Sequence, residues 1–271
     1  MGKSLLRDAF ILVALFGLIW AAFIFYPVFN PSPDDFEISI KNEEKLGKVI
    51  VDNMLSDGTE TLYDPYVDSA MIQITDRLKE NLDTSSKYNY NFRIIRSSDI
   101  NAFTLPGGNI FIYSGLIEFC ETPEEFSAVL AHEMGHAEKR HVVKKLGKEI
   151  GITILFSVLT GGDGTVIREI SRKALSTVFD REHEKEADEF AFRLLEKSGI
   201  NPKVFALFFK RLNDDGKSYN ASLEILMTHP HNDSRIEAAR GYLVSKDFKE
   251  RKFELDWKEV KKRLYLGEGD L

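Results

Sequence analysis

The sequence predicts a mainly α-helical α+β fold: a helical domain with a small β-sheet beside its central helix, preceded by one transmembrane helix. Three observations support this prediction. Apolar residues recur at helical spacing along most of the chain, one stretch alternates as β-strands do, and residues 9–29 contain no charge. With 271 residues, 43% of them apolar, the chain is long enough for one sizeable hydrophobic core.

Charge and cysteine content exclude several classes of protein. The formal net charge is -7, so we expect no basic surface of the kind that nucleic acids require, and no nucleic acid partner. Cys120 is the only cysteine, which excludes an internal disulfide and a thiolate-rich zinc cluster. A metal site in this chain would use nitrogen and oxygen ligands.

The first element is the apolar segment from Ala9 to Phe29, which we expect to anchor the chain in a membrane as part of residues 1–29. At about 1.5 Å per residue, it is long enough to cross a hydrocarbon core of about 30 Å. Lys3 and Arg7 precede it and acidic residues follow, so the rest of the chain is expected to be exported. A cleaved signal peptide is the alternative.

The main domain is expected over residues 30–240. It begins with two helices, over 42–55 and 65–82, whose apolar residues recur at helical spacing. Two strands of a small sheet follow, one in residues 88–97 and one in 101–119, where aromatic and β-branched residues are frequent and Pro-Gly-Gly predicts a turn.

A central helix is expected after the sheet. Thr122 is its predicted N-cap, with Pro123 in the first turn and Glu125 completing a capping box.

The second half of the chain is less regular. Residues 149–164 carry an apolar run that is too short for a comfortable membrane span and ends in glycines, and we expect a buried loop there. Helical periodicity returns over 171–199, with Gly199 as the stop. Residues 241–271 are charged with a sparse apolar stripe, which predicts a peripheral docking helix or a partly disordered tail.

The central helix carries the motif His132-Glu133-Met134-Gly135-His136. Histidines four residues apart lie on the same helix face, so both imidazoles can bind one ion at about 2.0–2.1 Å, the usual zinc–nitrogen distance. Glu133, one step round the helix, could take a proton from a metal-activated water and deliver it to a leaving amine. This H-E-x-x-H arrangement predicts one Zn²⁺ per chain and hydrolysis of amide bonds. A solvated helix that carries these residues by chance is the alternative, against which the apolar neighbours of the motif argue.

The third zinc ligand must come from elsewhere in the chain. His141 lies one residue too early for the longer H-E-x-x-H-x-x-G-x-x-H pattern. We expect it to point away from the zinc face, either at the surface or in contact with a ligand and not with the metal. The helix over 171–199 offers His183 and Glu184, which fall inside opposite borders of its apolar stripe, so both remain candidates. Asp188 is placed to hydrogen-bond a ligand histidine. Ordinary surface salt bridges are the alternative explanation of these charges.

These motifs resemble the HtpX and CAAX-prenyl-protease type of zinc metallopeptidase, metallopeptidase family forty-eight, in which H-E-x-x-H is followed by E-x-x-x-D. The matching residues are 132–136 and 184–188. The resemblance implies a zincin-like helical metallopeptidase domain, and the choice of Glu184 over His183 rests on it. It implies these roles: His132, His136 and Glu184 as zinc ligands, Glu133 as general base, and Asp188 as support for a ligand.

A late element, residues 228–236, is similar to the His-Pro and Arg-Ile element of the same family. It suggests His229 and Arg235 near the zinc. His229 could donate to the oxyanion of a tetrahedral intermediate, or take the open metal position and block it, while Arg235 would pair with a carboxylate. His231 is the competing histidine, and a His-Pro turn without a catalytic role is a further alternative.

The expected substrate site is the strand Asn109, Ile110, Phe111 and Ile112, which we expect to form an edge where an extended peptide adds by main-chain hydrogen bonds. With one predicted transmembrane span, the chain differs from the many-pass members of the family that cleave prenylated proteins. It resembles the single-anchor bacterial members that degrade damaged or misassembled envelope proteins.

We therefore expect unfolded or misassembled envelope proteins as substrates, and a domain on the periplasmic side of a bacterial inner membrane. With a cleaved signal, the protein would be soluble in the periplasm or associated with the outer membrane. An envelope assembly or chaperone factor that uses the same fold mainly to bind clients is the alternative function. Glu133 favours the enzyme, because a pure binding protein would not need a general base.

Overall fold

The computed structural model describes residues 11–21, 38–215, 224–229 and 232–265. The chain divides into two compact units, residues 1–37 and 38–271. In the first unit, residues 11–21 are helical. Most of the predicted anchor lies outside the described residues, and no helix within them combines the length and apolar character needed to cross a membrane.

The second unit is mainly helical with one small sheet, which confirms the predicted helical domain with its small sheet. Its strands are β1 (Asn91–Ile95), β2 (Ala102–Leu105) and β3 (Asn109–Tyr113). Its described helices are α1 (Ile40–Ser56), α2 (Pro65–Lys79), α3 (Ser114–Phe119), α4 (Pro123–Glu138), α5 (His141–Ile150), α6 (Ile152–Leu159), α7 (Gly164–Leu175), α8 (Arg181–Lys197), α9 (Lys203–Asp215), α10 (Glu224–Thr228), α11 (Asn232–Gly241) and α12 (Trp257–Arg263).

The two predicted N-terminal helices are present as α1 and α2, and both begin at a side-chain cap. Ser39 accepts a hydrogen bond from the backbone N–H of Asn42, and Asp64 accepts from that of Tyr66 ahead of the apolar stripe. Each helix buries that stripe in the core, and Ile50 of α1 is fully buried.

The sheet has three strands in the order β1-β3-β2, one strand more than predicted. Residues 101–119 contain both β2 and β3, because Gly107 and Gly108 adopt φ values of 77° and 73° and reverse the chain in a tight turn. β3 pairs in parallel with β1 and antiparallel with β2.

β3 is therefore the central strand, and the expectation that it forms a substrate-binding edge is wrong. Both of its edges are already paired, and the side chains of Asn109, Ile110, Phe111 and Ile112 are buried. The error has a physical cause: alternation along a strand shows which face is buried, whereas strand order is set by pairing between distant segments.

The central helix α4 begins as predicted. The Thr122 hydroxyl accepts from the backbone N–H of Glu125 at 3.2 Å, and Pro123 occupies the first turn. The carboxylate of Glu125 in turn accepts from the backbone N–H of Glu121 at 2.8 Å. Most of α4 is buried, with contacts to β2, α8 and α9, which explains why its sequence lacks a clear polar face.

The helices α4 and α8 cross at Gly135 and Ala187. A Cβ atom on Gly135 would lie 2.8 Å from the carbonyl oxygen of Ala187, closer than real Cβ contacts allow. Only glycine permits this approach, and the approach places the polar residues of the two helices opposite one another.

Two late segments differ from or refine the predictions. The apolar run in residues 149–164 forms the helix α6 where we expected a loop, and it buries Leu155 and Val158. Among the last residues, α12 docks on the domain, because Val260 is fully buried and the Trp257 indole donates to the carbonyl of Cys120 at 2.9 Å. Residues 266–271 lie outside the described part of the chain.

Candidate metal centre

The two motif histidines lie side by side on α4. His132 and His136 are one helical turn apart, and their Nε2 atoms are 3.0 Å from each other. Both rings are buried, and burial lowers the pKa of His136 well below its ordinary value. Both nitrogens point to the same small volume at the crossing of α4 and α8.

Glu184 of α8 reaches this volume and His183 does not. One Glu184 oxygen lies 3.4 Å from His136 Nε2 and the other 3.6 Å from His132 Nε2. His183 is half-buried, and its Nδ1 lies 3.3 Å from Asp180 at the start of α8. The structure thus brings the carboxylate that the family resemblance implied next to the two motif histidines. Its role as a metal ligand stays a prediction.

His229 is the fourth member of the cluster. Its Nδ1 lies 2.9 Å from Glu184 Oε1 and 3.2 Å from His132 Nε2. The backbone holds it there, because its N–H donates to Ile225 and the preceding Thr228 carbonyl accepts from Phe179. The catalytic role of His229 stays a prediction, and its ring lies among the candidate ligands. The competing His231 lies outside the described residues.

The geometry of the cluster fits a tetrahedral metal ion. Four donors at the usual zinc distance from one ion lie about 3.3 Å from each other. With Oε1 as the Glu184 donor, neighbouring donor atoms of His132, His136, Glu184 and His229 are separated by 3.0, 3.2, 2.9 and 3.4 Å. The imidazole nitrogens and carboxylate oxygen are donors that zinc prefers, and all four residues are buried.

Buried carboxylate oxygens that accept no hydrogen bond also favour a cation at this position. Glu133 Oε1 and Glu184 Oε2 accept no hydrogen bond from the described residues. Glu184 Oε2 does lie 2.8 Å from an Arg235 nitrogen, but as an ion pair without hydrogen-bond alignment. A buried oxygen without a hydrogen bond is costly unless another charge compensates for it. These residues can therefore bind a divalent metal ion.

Glu133 lies beside the four donors and is not one of them. Its Oε2 accepts a hydrogen bond from the Thr104 hydroxyl of β2 at 2.8 Å, and its Oε1 lies 3.4 Å from His229 Nε2. The side chain is 1% exposed. One oxygen is thus oriented by the sheet, while the other faces the cluster, as proton transfer would require.

Asp188 and Arg235 support the cluster from behind. An Asp188 oxygen lies 2.8 Å from His132 Nδ1, and Arg235 donates to both Asp188 oxygens at 2.9 and 2.8 Å. Burial alone would raise the pKa of Asp188, but Arg235 and His132 hold it below its ordinary value. Burial would likewise raise the pKa of Glu184, and His229 and Arg235 lower it instead. Both carboxylates are therefore charged.

His141 lies outside the cluster of donor atoms, as expected, but closer to it than helical periodicity indicates. It is fully buried and lies directly behind His136, with 2.9 Å between the two Nδ1 atoms. Burial lowers the pKa of His141 to about 4. Helical periodicity placed it elsewhere because that periodicity holds only within one continuous helix. Arg140, at φ 61°, ends α4 and redirects the chain into α5.

The chain belongs to peptidase family M48, whose family model matches residues 65–243. It is 27% identical to the beta-barrel assembly-enhancing protease of Yersinia pestis over 219 residues, which is 75% of this chain and 44% of the relative. It is 31% identical to metalloprotease LoiP of Escherichia coli over 129 residues, covering 45% of this chain and 51% of LoiP.

A eukaryotic relative matches as well. The mitochondrial metalloendopeptidase OMA1 of Arabidopsis thaliana is 32% identical over 143 residues, covering 52% of this chain and 29% of OMA1. The chain thus spans less than half the length of several curated relatives that it matches, including the 44% of the Yersinia protein.

Proposed function

We propose that this chain is a zinc metalloendopeptidase that hydrolyses peptide bonds in unfolded or misassembled proteins of the bacterial envelope. The observation that carries the proposal is the convergence of His132 and His136 with Glu184, beside the separate carboxylate of Glu133. Membership of peptidase family M48 supports the activity. The name of the Yersinia relative, a beta-barrel assembly-enhancing protease, supports envelope proteins as substrates.

The proposed ligands are His132, His136 and Glu184, and zinc is the metal that their chemistry favours. When bound, the ion polarises a carbonyl group and lowers the pKa of water. Glu133 accepts the proton of the attacking water on Oε1 and delivers it to the leaving amine nitrogen. Thr104 holds the other Glu133 oxygen, so the carboxylate does not rotate away.

His229 has two proposed roles that follow one another. In the described arrangement its Nδ1 would be a fourth ligand to a bound ion, whereas a catalytic zinc needs that position for water or substrate. Cleavage then requires the ring to move out of the cluster. From a neighbouring position, its N–H could donate to the oxyanion that forms when the carbonyl is attacked.

We propose β2 as the strand that binds the main chain of the substrate. It is the edge strand of the sheet that contacts α4, and its Thr104 touches Glu133. An extended peptide paired with β2 would be bound through its main chain, which gives weak sequence preference.

We also propose residues 1–29 as a single membrane anchor, with residues 30–240 as the peptidase domain and 241–271 as a docking segment. The uncharged run over 9–29 and the basic residues before it support a domain on the outer face of an inner membrane. A cleaved signal peptide remains the alternative.

The test is cleavage of casein by the purified full chain and by Glu133→Gln. The variant removes the proton acceptor and leaves every proposed ligand in place, so we expect wild-type zinc content and loss of cleavage. Glu189→Gln, an exposed carboxylate on α8, is the matched control and should cleave like the wild type. Equal cleavage by Glu133→Gln and the wild type would reject the catalytic assignment.

A further inference from the structure

We propose that His141 and Glu186 form a pair that fixes the orientation and the tautomer of His136, and so tunes its strength as a metal ligand. The proposal rests on the metal site proposed above. His141 is a positioning residue here, because it contacts a candidate ligand and lies outside the cluster of donor atoms.

The three side chains form a line that runs from the cluster to the surface. His136 Nδ1 lies 2.9 Å from His141 Nδ1, and His141 Nε2 lies 3.0 Å from Glu186 Oε2. The side chain of His141 is fully buried, whereas that of Glu186 is 39% exposed. Phe179 stacks on His136 with 3.9 Å between ring centres, which confines the imidazole further.

The hydrogen bonds in this line permit one proton arrangement that is compatible with metal binding. An ionised carboxylate only accepts hydrogen bonds, so His141 donates its Nε2–H to Glu186. A neutral His141 then has a lone pair on Nδ1, and His136 must donate its own Nδ1–H to it. That leaves the Nε2 lone pair of His136 free, and this atom faces the donor cluster.

The opposite arrangement would disable the ligand. If His141 carried hydrogen on Nδ1, His136 Nδ1 would accept, and the neutral His136 ring would hold its hydrogen on Nε2. Ligand histidines usually donate their second ring N–H to an acceptor, which fixes the tautomer and raises ligand basicity. His132 has Asp188 as this acceptor, and the corresponding partner of His136 is His141.

The turn between α4 and α5 is built to bring His141 back to His136. Arg140 adopts the left-handed conformation, with φ 61°, although it is not glycine. Its guanidinium donates to the buried carboxylate of Glu43 on α1 at 2.7 Å and also to the carbonyl of Ile38. Left-handed backbone is unfavourable for a side chain of this size, so these contacts offset a local strain.

The experiment compares two substitutions of His141 in the purified full chain. His141→Leu fills the space without an acceptor, and we expect the zinc dissociation constant to rise about 10–100-fold. His141→Asn places an amide oxygen near the former Nδ1, where it can accept from His136, and should restore most of the lost affinity. Affinity is measured by competition with a chromophoric chelator, and Glu189→Gln serves as the control with wild-type affinity.

A second variant and measurement test the proposal if His141→Leu does not fold. Glu186→Gln alters a half-exposed side chain and weakens the acceptor for His141, so we expect a smaller loss of affinity and a changed visible spectrum with Co²⁺ in place of zinc. Wild-type zinc affinity in a folded His141→Leu protein would overturn the proposal. If that protein does not fold, an unchanged affinity and Co²⁺ spectrum in Glu186→Gln would overturn it.

Failure of this inference is distinguishable from failure of the proposed function. A wild-type chain that binds zinc and does not cleave casein would refute the peptidase assignment and leave the affinity comparison intact. A wild-type chain that cleaves casein while His141→Leu binds zinc normally would refute only the positioning role.

Discussion

Two buried carboxylates meet at the candidate metal centre, and their partners assign them different chemistry. Glu184 lies against His229 and Arg235, and both lower its pKa against the opposing effect of burial. It is therefore a permanently charged group suited to holding a cation. Glu133 has a neutral hydroxyl from Thr104 on one oxygen, and its other oxygen faces the cluster. A group in that environment is better suited to accepting and releasing a proton.

Removing the Thr104 hydroxyl should therefore reduce catalysis without loss of metal. In Thr104→Val the side chain keeps its shape, while Glu133 loses the donor that orients it. We expect kcat to fall about 10-fold, which is less than the roughly 100-fold or more that a positioned acid–base group contributes, because the carboxylate itself remains. Zinc content should be unchanged. The measurement is casein cleavage together with metal analysis.

The control for this prediction is Thr75→Val. Thr75 is a buried threonine whose hydroxyl donates within α2 to the carbonyl of Ile72. Thr75→Val removes a hydroxyl as Thr104→Val does, but at a position that does not contact Glu133. An unchanged kcat in Thr104→Val, or an equal fall in both variants, would show that the Thr104 hydrogen bond does not position the carboxylate.

At the residue scale, spacing predicted which side chains share one helix face. It did not predict contacts between distant segments of the chain. The i, i+4 pattern correctly predicted that His132 and His136 share a face, because both lie within α4. His141 lies closer to the cluster than its spacing indicates, because the αL conformation of Arg140 interrupts the helix, and no residue type in that stretch signals it. That His229 enters the cluster depends on the approach of a distant segment, which local periodicity does not encode.

At the scale of elements, the site depends on how closely α4 and α8 approach. Gly135 and Ala187 form the crossing point, and the cluster lies on either side of it. The distance between the helices therefore sets the distance between Glu184 and the two histidines. A small change at the crossing should alter both stability and metal binding.

Gly135→Ala tests this dependence. The new methyl group would lie 2.8 Å from the Ala187 carbonyl oxygen, so the helices must separate. Overpacking of this kind costs about 1–3 kcal/mol. We expect lower unfolding free energy in urea and weaker zinc binding. Gly241→Ala is the control, since a methyl group at that position would meet nothing within 4 Å. A Gly135→Ala protein that keeps wild-type zinc affinity would show that the crossing does not set ligand spacing.

The attachment of the segment after α11 to α8 should depend on pH. Glu196 accepts hydrogen bonds from the Tyr242 hydroxyl at 2.6 Å and the Ser245 N–H at 2.7 Å, and these lower its pKa below the ordinary 4.5. The unfolded chain then binds more protons than the folded chain below pH 4.5, so the unfolding free energy decreases as pH falls through that range.

Glu196→Gln should remove this part of the acid sensitivity. The expected contribution is less than about 1 kcal/mol, because the group is partly open to solvent. The measurement is urea unfolding at pH 6 and at a series of lower pH values, with Glu189→Gln as the control. Identical pH dependence in Glu196→Gln and the wild type would contradict the assigned shift.

Helices and turns that begin with characteristic capping or turn residues were predictable from the sequence. The arrangement of these elements in space was less predictable. Thr122 caps its helix as the sequence predicts. The Pro-Gly-Gly turn was recognised, yet its consequence, a hairpin with β3 in the centre, was missed. Strand order depends on the pairing of β1 with β3 across a gap in sequence, and a residue pattern does not reveal that pairing.

At the scale of the whole molecule, the charged C-terminal segment is hydrogen-bonded to the helical core. The backbone N–H of Arg251 donates to the carbonyl of Gly199 at the end of α8, and the backbone N–H of Phe253 donates to the Glu124 carboxylate at the start of α4. Arg77 of α2 donates to the Arg251 carbonyl. The segment thus connects three helices, although few of its own residues are apolar.

Trp257 should contribute more to the stability of the second unit than any charged residue beside it. Its ring is 6% exposed, lies 5.6 Å from the ring of Phe126, and donates to the Cys120 carbonyl. Trp257→Ala would open a cavity against α4 and leave that carbonyl without its donor. Large aromatic truncations in a core cost about 3–5 kcal/mol.

We therefore expect Trp257→Ala to shift the urea midpoint of the entire unit in one transition, followed by circular dichroism. Lys258→Ala, at the exposed neighbouring position, should leave the midpoint nearly unchanged. Because α4 carries both proposed histidine ligands, His132 and His136, zinc release should follow the same transition as loss of helix. If the variant unfolded at the wild-type midpoint, the C-terminal segment would be an appendage and the core would end before it.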